Sequence, residues 1–214
     1  MDQEQSATER SFLATLAMDV QYALDQADQS KRGSDHRNAL RAIISAIEGA
    51  VWIYRAHVLS VAQSLGMSTS KLELAFSEMS VHVSEEGKIK EQQRFVATTA
   101  MIRLATRTAE ELCPGLEIDF SDAAWSKLRS AIRLRNRITH PKSLEDLSVS
   151  LEDLDAAQTG FNWFLTNVAM VMEATLGQLK AFNVEAKDFI EKLNTGDPDT
   201  IALYERARRA PDEP

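Results

Sequence analysis

The sequence has little of what a disulfide-stabilised, zinc-binding or disordered protein needs. Its 214 residues include one cysteine, Cys113, and only five prolines and eight glycines. A single cysteine excludes an internal disulfide and a cysteine-rich zinc site, and it favours a reducing compartment with Cys113 packed as a thiol. The low proline and glycine content, together with 44% hydrophobic and 26% charged residues, is typical of a helical globular protein.

Long hydrophobic runs and targeting signals are also missing. The first five residues are polar and acidic, which does not resemble a secretory signal. The most apolar long segment is residues 161–176, and four polar residues interrupt it: Asn162, Thr166, Asn167 and Glu173. It is therefore not apolar enough for a membrane span. We therefore expect a soluble cytoplasmic protein that does not bind a membrane.

The usual signatures of cofactor-dependent and hydrolytic enzymes do not occur. The sequence has no phosphate-binding G-x-x-x-x-G-K-[ST], no G-x-S-x-G and no dinucleotide fingerprint. His36 and His57 have no companion at metal-ligand spacing, so both are interpreted as surface or structural residues, and His82 as an exposed loop residue. We expect neither a metal nor an organic cofactor.

Hydrophobic periodicity predicts an all-α bundle. Helices are expected over residues 7–27, 35–65, 71–79, 88–112, 121–140, 150–176 and 178–193, with a last short helix opened by Asp197-Pro198. Ser70 with Glu73, and Ser150 with Asp153, have the spacing of capping boxes, and Ser121 can cap the fifth helix. The long second, fourth and sixth helices are expected to form the bundle. Residues 81–87 are interpreted as a loop, and no segment alternates like a strand.

We expect one domain over residues 1–210, with its core at about 35–180 and a frayed tail at 211–214. The fourth helix is expected to present Phe95 on its apolar face. Trp163 and Phe164 are interpreted as core, with a dimer contact as the alternative.

Charge is unevenly distributed along the chain. The net charge of −8 argues against a surface that holds nucleic acid indiscriminately. Residues 123–144, however, contain no acidic residue. The same window holds seven basic or titratable side chains: Lys127, Arg129, Arg133, Arg135, Arg137, His140 and Lys142. This pattern indicates either a focused site for a polyanion or a solvated helix face.

Arg135 lies on the apolar stripe of the helix that runs through this window. At 100° per residue it is almost in line with Leu128, so its guanidinium points toward the core. A buried arginine needs a carboxylate, a subunit interface or a ligand anion. Glu48 on the second helix is the candidate carboxylate. The alternative is that Glu48 pairs with Arg41 or Arg55 on its own helix.

His140 comes directly before Pro141 at the end of the same helix. A residue before proline is disfavoured in helical geometry, so the chain is expected to bend there and to aim the imidazole independently of the helix. Asn136 lies four residues earlier and can share the face of His140 as a hydrogen-bond partner, or it is a plain helix-terminal residue.

Arg135, Asn136 and His140 together resemble the R-x4-H motif of the HEPN superfamily, in which a polar residue often follows the arginine. The resemblance implies an all-α bundle that forms homodimers and joins two motifs in one site. Many such proteins are metal-independent endoribonucleases of toxin–antitoxin, anti-phage or RNA-processing systems.

RNA cleavage of this kind needs proton transfer and cations around the phosphorus. His140 would transfer the proton, Arg135 would hold the phosphate, and Asn136 would orient the imidazole or bind the phosphate. A homodimer would supply the second histidine. The expected RNA-binding residues are Arg129, Arg133, Arg137 and Lys142, with Glu48 in support of the site.

Two alternatives remain open. One is a non-catalytic module of the same fold that binds a nucleotide, or a toxin, antitoxin or nucleotidyltransferase partner. The other is a helical scaffold in which Arg135 and His140 only cap the helix and form salt bridges.

Overall fold

Seven α-helices and one β-hairpin make up the part of the chain that the computed structural model describes, residues 3–30 and 32–209, with side chains from Phe12 onward. Helix accounts for 76% of the structure, so the prediction of a mainly α-helical protein is confirmed. The predicted frayed tail, residues 211–214, lies outside the described residues. In chain order the elements are α1 (Gln3–Ser30), α2 (Gly33–Ser64), α3 (Ser70–Phe76), β1 (Met79–Val83), β2 (Ile89–Gln93), α4 (Thr98–Leu112), α5 (Ala123–Thr139), a 3₁₀ turn (Glu145–Leu147), α6 (Leu151–Thr195) and α7 (Pro198–Arg209).

The hairpin corrects three predictions: that no segment forms a strand, that residues 81–87 form a loop, and that a helix begins at Lys88. Strands β1 and β2 are antiparallel, with Met79 opposite Gln93, and Gly87 supplies the positive φ of 73° in the connecting turn. Helix α4 begins only at Thr98. Phe95 consequently precedes the helix and is 80% exposed, so its predicted place on an apolar helix face is wrong.

Helix α6 is one continuous helix of 45 residues, where the sequence predicted two. Gly177 lies inside it and does not interrupt it. The predicted capping box at its start is confirmed: the Ser150 hydroxyl accepts from the Asp153 N–H (3.1 Å), and Asp153 accepts in return. The other two predicted caps are wrong by one residue, since Thr69 caps α3 and Asp122 caps α5.

Helix α2 lies at the centre and packs against α1, α4, α5 and α6. One apolar face of α2 is buried, with Leu40, Ile44, Ile47, Val51, Tyr54, Val58 and Val61 all at most 6% exposed. By length and composition alone α2 could cross a membrane, so the prediction that residues 161–176 are the most apolar long segment is wrong. In the fold, 56% of the most apolar window of α2 is buried. A core helix has the same composition.

Two buried histidines attach α2 to α6 and fix their relative direction. His36 Nδ1 lies 2.8 Å from the Val149 carbonyl oxygen just before α6, and His57 Nε2 lies 2.8 Å from Thr175 Oγ1. The later histidine on α2 contacts the later residue of the α6 region, and so α2 and α6 run parallel. Of the two interpretations offered for these histidines, the structural one is correct.

Helix α5 is held closely against α6 and the segment before it. A Cβ added to Gly160 would lie 2.6 Å from the Leu128 backbone nitrogen, so glycine is what lets the helices approach. Trp125 is buried at the same contact, with its ring centroid 5.5 Å from that of Trp163 and 4.9 Å from that of Phe120. Trp163 and its neighbour Phe164 therefore pack in the core, and α5 has a fixed position.

Candidate functional site

Arg135 lies on the core-facing side of α5, as its spacing from Leu128 predicts. The buried residues of this helix are Trp125, Leu128, Ala131 and Ile138. The Arg135 side chain is nevertheless 26% exposed, whereas Ile138, three residues nearer the end of α5, is buried. The guanidinium is therefore half-buried and can still be reached from solvent.

The Arg135 guanidinium donates to the carboxylate of Glu48 on α2. This is the partner that the sequence indicated. The alternative pairs do not form, since Arg55 binds Glu78 at 2.7 Å and Arg41 donates to Asn38 at 3.1 Å. The expectation of a buried pair is wrong, however, because the Glu48 side chain is 44% exposed. Such exposed pairs contribute little to stability.

His140 stands outside α5, and its imidazole is exposed. The helix ends at Thr139, and His140 has φ −125° and ψ 59°, which is not helical. Its N–H still donates to the Asn136 carbonyl oxygen at 3.1 Å, so the His140 backbone is anchored to the end of the helix. The expected bend before Pro141 is therefore present.

Asn136 is exposed as well, one helical turn before His140. Within residues 12–30 and 32–209, no hydrogen bond joins the side chains of Arg135, Asn136 and His140. The motif therefore presents three groups at one helix end without linking them to one another.

The other predicted cations are divided between surfaces. Arg133 donates to Ser130 Oγ at 2.7 Å, and Arg137 donates to the Ser148 carbonyl oxygen at 2.9 Å. Both line a groove of about 270 Å³ between α5 and α6, which also contains the carboxylate of Asp153. Arg135 instead faces α2. Arg129 and Lys142 are exposed.

A second groove, of about 400 Å³, begins at Glu48 and was not predicted from the sequence. It runs between α2, Glu78 and the start of α4, and it is lined by Trp52 and Phe95, which are 57% and 80% exposed. Exposed aromatic rings offer stacking surfaces to nucleobases. The spacing of Trp52 from Glu48 on one helix could be seen in the sequence. Phe95 was predicted to lie on a helix face, and so its place in the opposite wall of the groove was not predicted.

The chemistry of these side chains suits anion binding and proton transfer. Among the described residues no group of three His, Cys, Asp or Glu side chains could hold a metal ion. Burial raises the pKa of the Cys113 thiol, which fits its interpretation as a packed residue and not as a nucleophile. In comparisons of the chain with protein-family models, curated proteins and solved structures, no match was found.

Proposed function

We propose that this protein is a metal-independent endoribonuclease of the HEPN type, and that Arg135, Asn136 and His140 act on the scissile phosphodiester. The observation that carries the proposal is the geometry of the end of α5. His140 leaves the helix with an exposed ring, Asn136 is exposed one turn earlier, and Arg135 is accessible beside them. Imidazole is the side chain best suited to exchange protons near neutral pH.

In the proposed reaction the 2′-hydroxyl of a ribose attacks the adjacent phosphorus, and the bond from phosphorus to the 5′-oxygen of the next nucleotide breaks. One imidazole accepts the 2′-hydroxyl proton, and a second protonates the leaving oxygen. Arg135 exchanges Glu48 for the phosphate, to which a guanidinium binds in bidentate fashion. Arg129, Arg133, Arg137 and Lys142 contact the RNA strand on either side.

Because each chain supplies one His140, the proposal includes a homodimer in which two motifs form one site. Light scattering across a dilution series of the purified protein, with and without RNA, tests this part. A monomer at every concentration would exclude the composite site, even if RNA still bound to single chains.

The activity is tested by incubating the protein with structured RNAs, including transfer RNAs, in EDTA. The wild type should leave 2′,3′-cyclic phosphate or 3′-phosphate ends. His140→Ala and Arg135→Ala should each reduce cleavage on the order of a hundredfold or more. His82→Ala, on the exposed face of β1, and Arg107→Ala, on the exposed face of α4, are the matched controls and should cleave normally. Cleavage by His140→Ala at the wild-type rate would refute the proposed site.

One observation favours the second candidate function, a non-catalytic nucleotide- or protein-binding module. In the structure Arg135 already has a carboxylate partner, so its charge is neutralised when no ligand is bound. A module that binds and releases a nucleotide, or an antitoxin or nucleotidyltransferase partner, needs only the exchange of Glu48 for the ligand at Arg135. Stoichiometric binding of RNA or nucleotides without any cleavage, over the same panel of substrates, would support the module over the nuclease.

A further inference from the structure

Helix α6 is longer than the bundle it belongs to. His57 of α2 lies beside Thr175 of α6, the two helices run parallel, and α2 ends seven residues later at Ser64. The matching position on α6 is Phe182, yet α6 continues to Thr195. About 13 residues, or roughly 20 Å of helix, therefore extend past the end of α2.

The extended part carries an apolar seam that continues the one inside the bundle. Phe161, Val168 and Thr175 are buried at seven-residue spacing, and the same spacing leads on to Phe182 and Phe189. We call five residues the distal seam: Leu179, Phe182, Ala186, Phe189 and Leu193. Apolar residues at alternating steps of three and four are the signature of two helices packed along each other.

The described chain covers the distal seam only in part: Leu179 packs against the bundle core, and Ala186, Phe189 and Leu193 are half-buried. Helix α7 follows Gly196, and Thr200 is its one buried residue among positions 198–209. Phe182 is 42% exposed, and the flanking Ile190 is 57% exposed. Phe182, Glu185, Ala186, Phe189 and Ile190 line a shallow groove along the helix. Contiguous apolar surface of this kind marks a site of association.

Charges beside the seam identify the partner. Glu185 and Lys192 lie on the same flank of α6, two helical turns apart and with opposite charge, and both are exposed. If a second copy of α6 lies antiparallel to the first, Lys192 of the partner subunit faces Glu185 and the converse pair also forms. In a parallel pair the residue facing Glu185 would be Ile190, and no ion pair would result. The Asp188–Lys192 contact of 2.7 Å within the helix is itself exposed and can be exchanged.

We infer that the distal seam is a self-association surface, on which two copies of this chain pair antiparallel through the C-terminal parts of their α6 helices. This contact is separate from the one that a composite nuclease site requires. The R-x4-H motif lies near the start of α6, roughly 45 Å along the helix from Phe182. Antiparallel pairing therefore leaves the two motifs far apart.

The test is the dissociation constant of self-association, measured by sedimentation equilibrium on the full chain. Phe182→Asp and Phe189→Asp place a charge in the seam and should each remove this contact, so that the chain becomes a monomer or, where the motif contact also forms, no more than a dimer. Helical circular dichroism should not change. Val184→Asp is the matched control: Val184 is 68% exposed on the same stretch of α6 but lies off the seam. That variant should associate like the wild type.

The orientation is tested by charge reversal. Glu185→Lys turns two attractive pairs into repulsive ones and should raise the dissociation constant on the order of tenfold. The double variant Glu185→Lys with Lys192→Glu should restore the wild-type value, because the pairs re-form with exchanged signs. Failure of this restoration would overturn the antiparallel arrangement.

Two further results would overturn the surface itself. One is a wild type that is monomeric throughout the micromolar range. The other is a dimer that is unaffected by Phe189→Asp, which would place the contact elsewhere, for example at the motif. RNA cleavage by a monomeric Phe189→Asp variant would leave this inference intact, and so the two proposals can fail separately.

Discussion

Arg135 and His140 are placed by two different local rules. Helical periodicity turns Arg135 toward α2, where it meets Glu48. The helix ends before Pro141, and His140 therefore has a non-helical backbone and an exposed side chain. Five residues of one continuous helix would not present both groups in this way. The spacing of the motif thus has a physical explanation whether or not the site cleaves RNA.

His57 makes the stability of the fold sensitive to pH. Its ring is buried between α2 and α6 beside Thr175, and burial lowers its pKa from the ordinary value of 6.5. The unfolded chain therefore binds a proton more readily than the folded one. The free energy of unfolding should be highest above about pH 6.5 and should decrease as the pH falls below that value toward the lowered pKa.

Urea unfolding at about pH 7.5 and at about pH 5.5 measures this effect. His57→Gln should be less stable than the wild type at the higher pH, because a buried hydrogen bond is disturbed, and it should lose less stability on acidification. His82→Gln, at an exposed position, should show the wild-type pH dependence. An equal loss in the wild type and in His57→Gln would contradict the assignment.

Among the elements, the contact between α5 and α6 decides where the motif lies. It depends on Gly160, because any Cβ there would meet backbone atoms of Leu128 that cannot move away independently of α5. We expect Gly160→Ala to lower the free energy of unfolding by about 1–3 kcal/mol or more. It should also displace α5 and reduce any activity of His140.

Gly177 is the matched control on the same helix. A Cβ there meets nothing within 4 Å, and alanine is preferred over glycine inside a helix by roughly 0.5–1 kcal/mol. Gly177→Ala should therefore stabilise the protein by up to about that amount. Thermal and urea unfolding of the two variants side by side would check both signs, and a neutral Gly160→Ala would show that the helices are less closely packed than described.

The β-hairpin shows that residues with helical spacing do not always lie in one helix. Phe95, Thr98 and Ile102 have helical spacing, but only the last two are in α4. The Glu78 carboxylate accepts from the Val96 N–H at 2.9 Å and from Arg55 at 2.7 Å, which ties the base of the hairpin to α2. The chain between Glu78 and Val96 is thereby held as a hairpin, and Phe95 becomes a wall of the groove.

For the whole molecule, charge sets the strength and salt dependence of any RNA binding. The net charge is −8, so RNA should be repelled by most of the surface. It should be attracted only near residues 123–144, which include no acidic residue. Affinity should decrease steeply with added salt. Removing one phosphate contact should reduce the slope of log affinity against log salt by about 0.7 for a single strand.

Fluorescence anisotropy of a labelled single-stranded RNA with His140→Ala, which should not cleave it, measures this slope. Adding Arg129→Ala or Arg133→Ala should reduce it, whereas Arg208→Ala on α7 should not. Equal slopes for all three variants would mean that the RNA does not cross the face of α5 that carries these arginines.

What could be predicted from the residues alone was local. The helices of the bundle, the Ser150 capping box, the core-facing position of Arg135 and the end of α5 at His140 follow from periodicity, side-chain caps and the effect of Pro141 on its neighbour. Each rule involves residues within a few positions of one another, so no knowledge of the rest of the chain is needed. Even the prediction that Glu48 pairs with Arg135 required only that the apolar faces of their two helices pack together.

Other features depend on contacts between distant residues, and only the tertiary structure decides them. The Arg135–Glu48 pair is partly exposed although Ile138 nearby is buried, a difference that periodicity does not report. Trp52 and Phe95 share a groove because Glu78 holds the hairpin against α2. Arg133 and Arg137 turn toward α6 while Arg135 faces α2, because α5 lies between these two helices and presents a different face to each. Lastly, α6 extends past α2 because the parallel packing of the two helices leaves the shorter one to end first.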